Sequence, residues 1–274
     1  MIRPVLVALS MLIAGQAVAQ VEDIPPELLN NTRRLQGEEI TVCFDSSGQS
    51  RLFDRDVAQA IGDALFLKVN FEEGFGQYPI DGGGFMGAML LALTNTCDMF
   101  MGISVQSNTQ FPDWASVSRP YATIPFVVAA TNPDWQKLGD IPKDRKLGTA
   151  LQSLGEMVFI TWQQQQPEAQ RWVRLPYADP SLMARRVEDG TLGAMLLWQP
   201  TLAGLQRNAP EAIANMHIIA SDPVPQASVR IGALLSSRDS FLKNQVDQAI
   251  DALVADGTIA ALLEKHGYVG NAGE

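Results

Sequence analysis

The sequence contains few of the residues from which catalytic and metal sites are usually built. Only two histidines and two cysteines occur among its 274 residues. His217 and His266 have no neighbours at metal-ligand spacing. No nucleophile elbow, zinc-protease motif or phosphate loop is present. We therefore predict no enzymatic activity, no metal site and no other cofactor.

Positive charge is also scarce, since 20 Lys and Arg stand against 30 Asp and Glu, for a net charge of −10. Nucleic acids and anionic membrane surfaces attract basic patches, so this balance predicts neither as a partner. Beyond the amino terminus no apolar run reaches the roughly 18 residues of a membrane span. We predict that the mature chain is not membrane-embedded.

One glycine-rich segment, Gly82 to Gly87, formally fits the dinucleotide-binding pattern G-x-G-x-x-G. It lies well beyond the nearest predicted strand, whereas a dinucleotide loop follows its strand directly. We interpret it as a loop that leads into a helix.

The amino terminus has the features of a signal peptide. Arg3 gives a positive start, Val5 to Ala14 is apolar, and Ala17-Val18-Ala19 is an A-x-A cleavage signal. This pattern predicts a signal peptide over residues 1–19, cleaved near Ala19-Gln20, and places the mature protein in the periplasm. A buried N-terminal helix is the alternative.

Cys43 and Cys97 are the only cysteines. An oxidising compartment permits a bond between them. A disulfide also needs Cα atoms about 4.4–6.8 Å apart, which the sequence does not fix. A disulfide and two free thiols both remain open.

Strand and helix patterns alternate along the chain and then start again, which predicts two α/β units. We place an extended segment at 20–38, lobe 1 at 39–128 completed by 233–274, and lobe 2 at 129–232. Two long apolar strands, 124–130 and 229–235, are the predicted crossings between lobes.

Several segments resemble family 3 extracellular solute-binding proteins, in the same order along the chain. Phe53 to Ile61 is similar to the family's G-F-D-x-D-[LV]-A-x-A-I helix, and Cys97 to Gly102 is similar to its third strand. Ser118 to Tyr121 resembles F-S-x-P-Y, Asp140 to Gly148 resembles D-L-k-g-k-k-v-G, and Asp189 to Pro200 resembles n-G-x-x-D-A-v-v-x-D-x-P. The resemblance implies the type II periplasmic binding protein fold, in which two α/β lobes close over a cleft.

Two departures from the family concern the ligand. Members that bind amino acids carry an arginine for the α-carboxylate where this chain has Thr109, and an aspartate for the α-ammonium where it has Trp198. A zwitterion would lose both charge partners, which costs several kcal/mol for each buried charge. The chain is therefore expected to bind a small molecule that is not a free amino acid.

A subgroup fits these departures better, namely the periplasmic J proteins of quinoprotein methanol dehydrogenase systems (MxaJ and XoxJ). This chain resembles them in Val42-Cys43-Phe44-Asp45, Gly84-Phe85, Cys97-Asp98 with Met101-Gly102, Arg119-Pro120-Tyr121, and Trp198 with Pro200. The resemblance implies an accessory role beside a quinoprotein dehydrogenase or its cytochrome c. A receptor that delivers its solute to an ABC permease is the alternative, and a periplasmic enzyme on the same scaffold is a third.

Residues at the carboxyl ends of strands line the crevice of α/β sheets. On this basis, with Arg119 added from the resemblance, the candidate ligand-binding residues are Asp45, Ser46, Ser104, Gln106, Arg119, Ser153 and Trp198. The alternative for Ser153 is a helix N-cap, and for Trp198 a place in the core.

Overall fold

The structure is a computed structural model that describes residues 37–73, 84–106 and 109–274. The predicted signal peptide, the extended segment up to residue 36 and Gly82 and Gly83 lie outside these residues. In the described part, no helix is both long and apolar enough to cross a membrane.

Eleven strands and seven α-helices make up the described chain. The strands are β1 (Glu39–Phe44), β2 (Lys68–Glu73), β3 (Met99–Ser104), β4 (Ala115–Val117), β5 (Ala122–Ala130), β6 (Lys146–Ala150), β7 (Val173–Tyr177), β8 (Ala194–Trp198), β9 (His217–Ile219), β10 (Ser228–Ser236) and β11 (Asn271–Ala272). The helices are α1 (Arg51–Ala64), α2 (Gly84–Asn95), α3 (Leu154–Gln164), α4 (Pro180–Glu188), α5 (Gln199–Asn208), α6 (Ser240–Ala255) and α7 (Thr258–Lys265).

The strands form two sheets that share β5. In the first sheet β1 pairs in parallel with β2 and β3, and β10 runs antiparallel to β3 and β5. In the second sheet β6 pairs in parallel with β7 and β8, and β5 runs antiparallel to β8. Helices cover both sheets, which gives the mixed α/β fold with two lobes that the sequence predicts.

One of the two predicted crossing strands, β5, joins the two sheets. The beginning of β5 pairs with β10, from Ala122 opposite Ile231 to Pro125 opposite Ser228. The rest of β5, from Phe126 onward, pairs with β8 of the second sheet. One strand therefore contributes to both sheets. The predicted lobe limits, 39–128 with 233–274 and 129–232, stay a prediction.

The C-terminal helices return to the first lobe because their apolar faces complete its core. Val246 and Ile250 of α6 and Ile259 and Leu263 of α7 are buried in the same cluster as Val57 of α1. A further short strand, β11, follows α7 and pairs antiparallel with the start of β5, so the strand predicted at 229–235 is not the last one.

A helix and a strand also differ from what the sequence pattern indicates. The helix after Ser153 ends at Gln164, inside the glutamine tract at 163–166 rather than at the proline that follows it. Strand β7 was missed because it is a short edge strand whose residues are half-buried or exposed, so the strong apolar run of a central strand is absent.

The two cysteines are bonded to each other. Cys43 on β1 and Cys97 just before β3 have Cα atoms 5.8 Å apart and form a disulfide. Both are fully buried beside α2. The bond fixes the chain leaving α2 against β1 and resolves the question that the sequence left open.

Candidate functional site

The carboxyl edges of the two sheets face each other across the hinge. Ser104, the last residue of β3, lies opposite Ile231 near the start of β10. Trp198, the last residue of β8, lies opposite Phe126 of β5. These positions lie where β5 passes from the first sheet to the second. The candidate residues were assigned to the carboxyl edges of the two sheets, and in each lobe this edge borders the space between the lobes.

Asp45 and Ser46 lie in the turn between β1 and α1. The Asp45 carboxylate accepts hydrogen bonds from the Ser47 backbone N–H at 2.9 Å and from the Ser47 hydroxyl at 2.7 Å. The carbonyl of Asp45 accepts the Gly48 N–H at 3.0 Å. Asp45 is half-buried and Ser46 is exposed. Asp45 thus shapes its own turn, as aspartate does at such positions.

Ser104 and Gln106 lie where β3 meets the hinge. The Gln106 side-chain amide donates to the carbonyl of Ser228 at 3.3 Å, and the intervening Val105 donates its N–H to the carbonyl of Arg230 at 2.9 Å. Ser104 is exposed at the end of the strand. These bonds attach the end of β3 to the returning crossing strand.

Ser153 is the N-cap of α3, the alternative considered from the sequence. Its hydroxyl accepts the backbone N–H of Glu156 at 3.1 Å, as an N-cap serine does. Glu156 itself is buried, and its carboxylate accepts the Thr149 hydroxyl at 2.7 Å and the Gln152 N–H at 2.7 Å. It also pairs with Arg174 of β7.

Trp198 lies between the two lobes, at the base of the hinge. Its indole N–H donates to the carbonyl of Ile124 on β5 at 3.2 Å. The half-buried ring packs against the buried clusters of both lobes. The next residue, Gln199, begins α5 and donates its side-chain amide to the carbonyl of Gly267 at 2.7 Å. Trp198 therefore contributes to the hinge through packing and a hydrogen bond.

Arg119 is engaged with the outer helix α6. Its guanidinium Nη1 lies 2.9 and 2.6 Å from the two carboxylate oxygens of Asp251, and its backbone N–H donates to Asp247 at 2.8 Å. No contact in the described structure joins Arg119 to another candidate residue. Its role as a ligand-binding residue stays a prediction, as it does for the other candidates.

The sequence analysis did not single out Asp54, a buried carboxyl group in the first turn of α1. Asp54 accepts the Tyr121 hydroxyl at 2.7 Å and the Ser50 hydroxyl at 2.8 Å, and Tyr121 in turn accepts the Gly102 N–H at 3.1 Å. Burial raises the pKa of Asp54 to about 7, against the lowering effect of the two hydroxyl hydrogen bonds. Asp54 belongs to the Phe53–Ile61 segment that resembles the family's helix. The sequence pattern alone does not show that its side chain is buried.

Each lobe thus has a buried carboxyl group in the first turn of a helix that begins at the carboxyl edge of its sheet. Asp54 lies in the first turn of α1 and is 3% exposed, and Glu156 lies in the first turn of α3 and is 5% exposed. The Ser153-x-x-Glu156 spacing is a capping-box pattern that could have indicated the second group. A negative side chain near a helix N-terminus is stabilised by the helix dipole.

The cations beside these edges are paired with carboxylates of the same chain. Arg51 at the start of α1 lies 2.7 Å from Glu73 at the end of β2. Arg230 at the hinge lies 2.8 Å from Glu274. In the described residues no group of three His, Cys, Asp or Glu side chains is placed to hold a metal ion.

No protein-family model matches the sequence, and no curated protein matches it. Solved structures do match. The second substrate-binding domain of GlnP from Lactococcus lactis, in an open conformation, superposes with a TM-score of 0.65 at 13% identity, over 85% of this chain and 97% of that one. The chain has the type II periplasmic binding protein fold.

Two further structures of this fold are similar over most of both chains. The unliganded, open L-cystine solute receptor of Neisseria gonorrhoeae gives a TM-score of 0.60 at 19% identity, over 88% of this chain and 95% of that one. The ancestral amino acid-binding protein AncCDT-1, a precursor of cyclohexadienyl dehydratase, gives 0.53 at 17% identity, over 84% and 95%. At these identities the likeness shows the fold.

Proposed function

We propose that this chain is a periplasmic, non-catalytic binding protein that closes its two lobes over a small solute other than a free amino acid. The observation that carries the proposal is the position of Trp198 at the base of the hinge. In the family that the sequence resembles, an aspartate for the ligand ammonium stands there. Here the indole N–H is bonded to Ile124 and the ring packs in both lobes.

The carboxylate partner of an amino acid is missing as well. Thr109 stands where the resemblance places an arginine, and its backbone N–H closes a turn on the carbonyl of Gln106 at 3.0 Å. A buried charge without its partner costs several kcal/mol, and this penalty would apply to both ends of a zwitterion. The amino acids named for the neighbouring proteins are therefore not the ligands that we propose here.

An ABC permease is the partner that the fold favours, because two structures of this fold come from amino acid ABC transporters, one of Streptococcus pneumoniae and one of Bacillus subtilis, and were assigned to them as putative or probable binding components. An accessory role beside a quinoprotein dehydrogenase or its cytochrome c is the second candidate. It is supported by the Cys43–Cys97 disulfide, since both cysteines occupy positions at which the J proteins have cysteine. An enzyme on this scaffold finds less support, because the hydroxyl–carboxylate pairs described above, Ser50 with Asp54 and Thr149 with Glu156, are buried.

Binding can be tested without knowing the ligand. The mature protein is screened by thermal shift against the twenty common amino acids and a diverse library of small solutes, and hits are followed by small-angle X-ray scattering. We expect stabilisation and a smaller radius of gyration with a solute outside the amino acids. Micromolar binding of any free amino acid would refute the proposal, and so would the absence of closure with every hit.

The partner can be tested by recovery from periplasmic and membrane extracts with wild-type and Trp198→Ala protein as baits. Recovery of a permease supports the importer assignment, and recovery of a quinoprotein dehydrogenase or a cytochrome c supports the accessory role. A permease recovered without a dehydrogenase in either eluate would exclude the second candidate.

A further inference from the structure

Helix α5 packs against both lobes at once. Leu202 and Leu205 are buried in a cluster with residues of α4 and β8 in the second lobe. Ala203 is buried in the core of the first lobe, in the cluster that contains α6 and α7. Gln199, the first residue of α5, donates its side-chain amide to the carbonyl of Gly267, which follows α7, at 2.7 Å. One short helix therefore connects the two lobes in addition to β5.

The sequence of α5 divides its surface into two faces. Residues 199, 203 and 207 are four apart and follow one side of the helix, whereas residues 202 and 205 are three apart and follow another. The first side contacts the first lobe, and the leucine side contacts the second. Because each face is packed against a different lobe, a change in the angle between the lobes must disturb one of the two contacts.

The last turn of α5 also lies beside the first lobe. Burial raises the pKa of the Tyr268 hydroxyl, and the positive charge of Arg207 opposes this rise. The Tyr268 ring packs on Phe53 of α1, with ring centres 5.4 Å apart. We call the contact of Gln199, Ala203 and Arg207 with Gly267 and Tyr268 the α5–lobe 1 contact.

The α5–lobe 1 contact contains buried polar atoms that are not satisfied. Gln199 is 3% exposed, and its side-chain oxygen has no hydrogen-bond partner in the described structure. The hydroxyl of Tyr268, a residue that is 5% exposed, has no partner within the same residues that meets hydrogen-bond geometry, so Arg207 acts on it as a nearby charge. A buried polar atom without a partner is costly, because it has lost its water. Both atoms would regain water if α5 and the first lobe moved apart, which makes this contact weaker than the apolar contact on the leucine face.

The residues at the centre of the α5–lobe 1 contact are too deeply buried to touch a solute. Gln199, Ala203 and Tyr268 are each at most 5% exposed. A substitution at any of them alters the packing between the lobes and not a surface that a solute could reach.

We propose that the α5–lobe 1 contact sets the angle between the lobes in the solute-free protein and thereby regulates solute affinity through residues that the solute does not touch. Its effect on affinity rests on the proposed binding function. A protein whose binding-competent arrangement is only fractionally populated binds with an affinity reduced by that fraction. A change in the α5–lobe 1 contact therefore changes affinity by shifting this population.

Pulsed electron paramagnetic resonance on the solute-free mature protein measures the distribution of lobe separations. Spin labels are attached through Ala64→Cys, at the exposed last residue of α1, and Arg185→Cys, at an exposed position of α4. The native Cys43 and Cys97 are bonded to each other and do not take up the label. One label lies in each lobe, so the distance between the labels reports the angle between the lobes.

Variants on the face of α5 that contacts the first lobe should change this distribution. Gln199→Ala removes the bond to the Gly267 carbonyl and should raise the population at other label distances about tenfold. Ala203→Leu adds bulk to the same face and should act in the same direction. Asn208→Ala removes an exposed amide from the end of the same helix and is the control. Wild-type distributions in both test variants, folded by circular dichroism, would refute the proposal, and so would an equal change in Asn208→Ala.

A variant of opposite sign tests the role of the unsatisfied atoms. In the Gln199→Ala chain, Tyr268→Phe should return part of the displaced population to the wild-type distance, because the phenyl ring has no hydroxyl that regains water when the lobes separate. Further broadening would contradict this account of the contact.

The solute library separates this inference from the proposed binding function. For any solute that binds, Gln199→Ala should change the Kd several fold and Asn208→Ala should not. A chain that binds no solute but shows the expected label distances would overturn the binding function and leave this inference intact. A chain that binds a solute with the same Kd and the same label distances in every variant would overturn this inference alone.

Discussion

Replacement of Asp54 by asparagine should stabilise the protein at pH 8 far more than at pH 4. The side chain is buried, its carboxylate accepts hydrogen bonds only from the hydroxyls of Tyr121 and Ser50 among the described contacts, and burial raises its pKa from 3.8 to about 7. The asparagine oxygen can still accept from Tyr121, and its amide can donate to Ser50. The variant therefore keeps the network without carrying a charge.

The sign and size follow from proton linkage. Because the folded-state pKa is raised, the folded protein holds a proton that the unfolded chain releases, and the stability from this proton is complete below about pH 4. It is lost as the pH rises to about 7. A shift from 3.8 to about 7 corresponds to about 4 kcal/mol over that window, at 1.36 kcal/mol for each pKa unit. Above pH 7 to 8 the loss levels off.

Urea unfolding at half-unit steps from pH 4 to pH 8 measures this difference between wild type and Asp54→Asn. We expect the stability of the variant relative to wild type to rise by about 4 kcal/mol across the series. Asp63→Asn, on the exposed face of the same helix, is the control and should show no comparable rise. A difference that stays flat with pH, or a variant that loses stability at pH 8, would refute the assignment of an uncompensated buried carboxyl group.

Three further predictions use the same unfolding assay. Cys43→Ala with Cys97→Ala should cost about 4 kcal/mol, from the entropy of a cross-link over 54 residues; a loss below about 1 kcal/mol would contradict that account. Gly102→Ala should cost about 2–3 kcal/mol, because Gly102 has a φ of 81° and its added Cβ would lie 2.7 Å from an Asp54 oxygen; a neutral result would show that the network can move. Trp198→Ala should cost about 3 kcal/mol and broaden the distribution of lobe separations in X-ray scattering, and unchanged scattering would contradict its place in the hinge.

The sequence predicted most of the fold because the buried parallel strands are nearly continuous apolar runs. Such runs are seen in the parallel strands β1, β3 and β8, and also in the antiparallel strand β10, and the helices between them have clear apolar faces. The short strands β4, β9 and β11 and the edge strand β7 could not be found in this way. Their residues are held by pairing with neighbours that are distant in sequence.

For the candidate site, too, the sequence predicted the positions of residues but not the contacts that they make. The sequence placed Ser153 and Trp198 at strand ends, and it offered an N-cap and a core position as alternatives. It could not show that Ser153 caps α3, or that Trp198 packs in both lobes at once. Arg119 was chosen from a motif, and only the structure pairs it with Asp251 on α6.

The sequence by itself determined the alternation of strands and helices, the acidic balance of charge and the absence of the usual catalytic motifs, because these depend on local pattern and composition. The tertiary structure decided that Cys43 bonds to Cys97, and that Asp54 and Glu156 are buried behind the two facing edges. These properties depend on which residues distant in the chain are brought together, because burial and pairing determine whether a carboxyl group is solvated, neutralised or left without a cation.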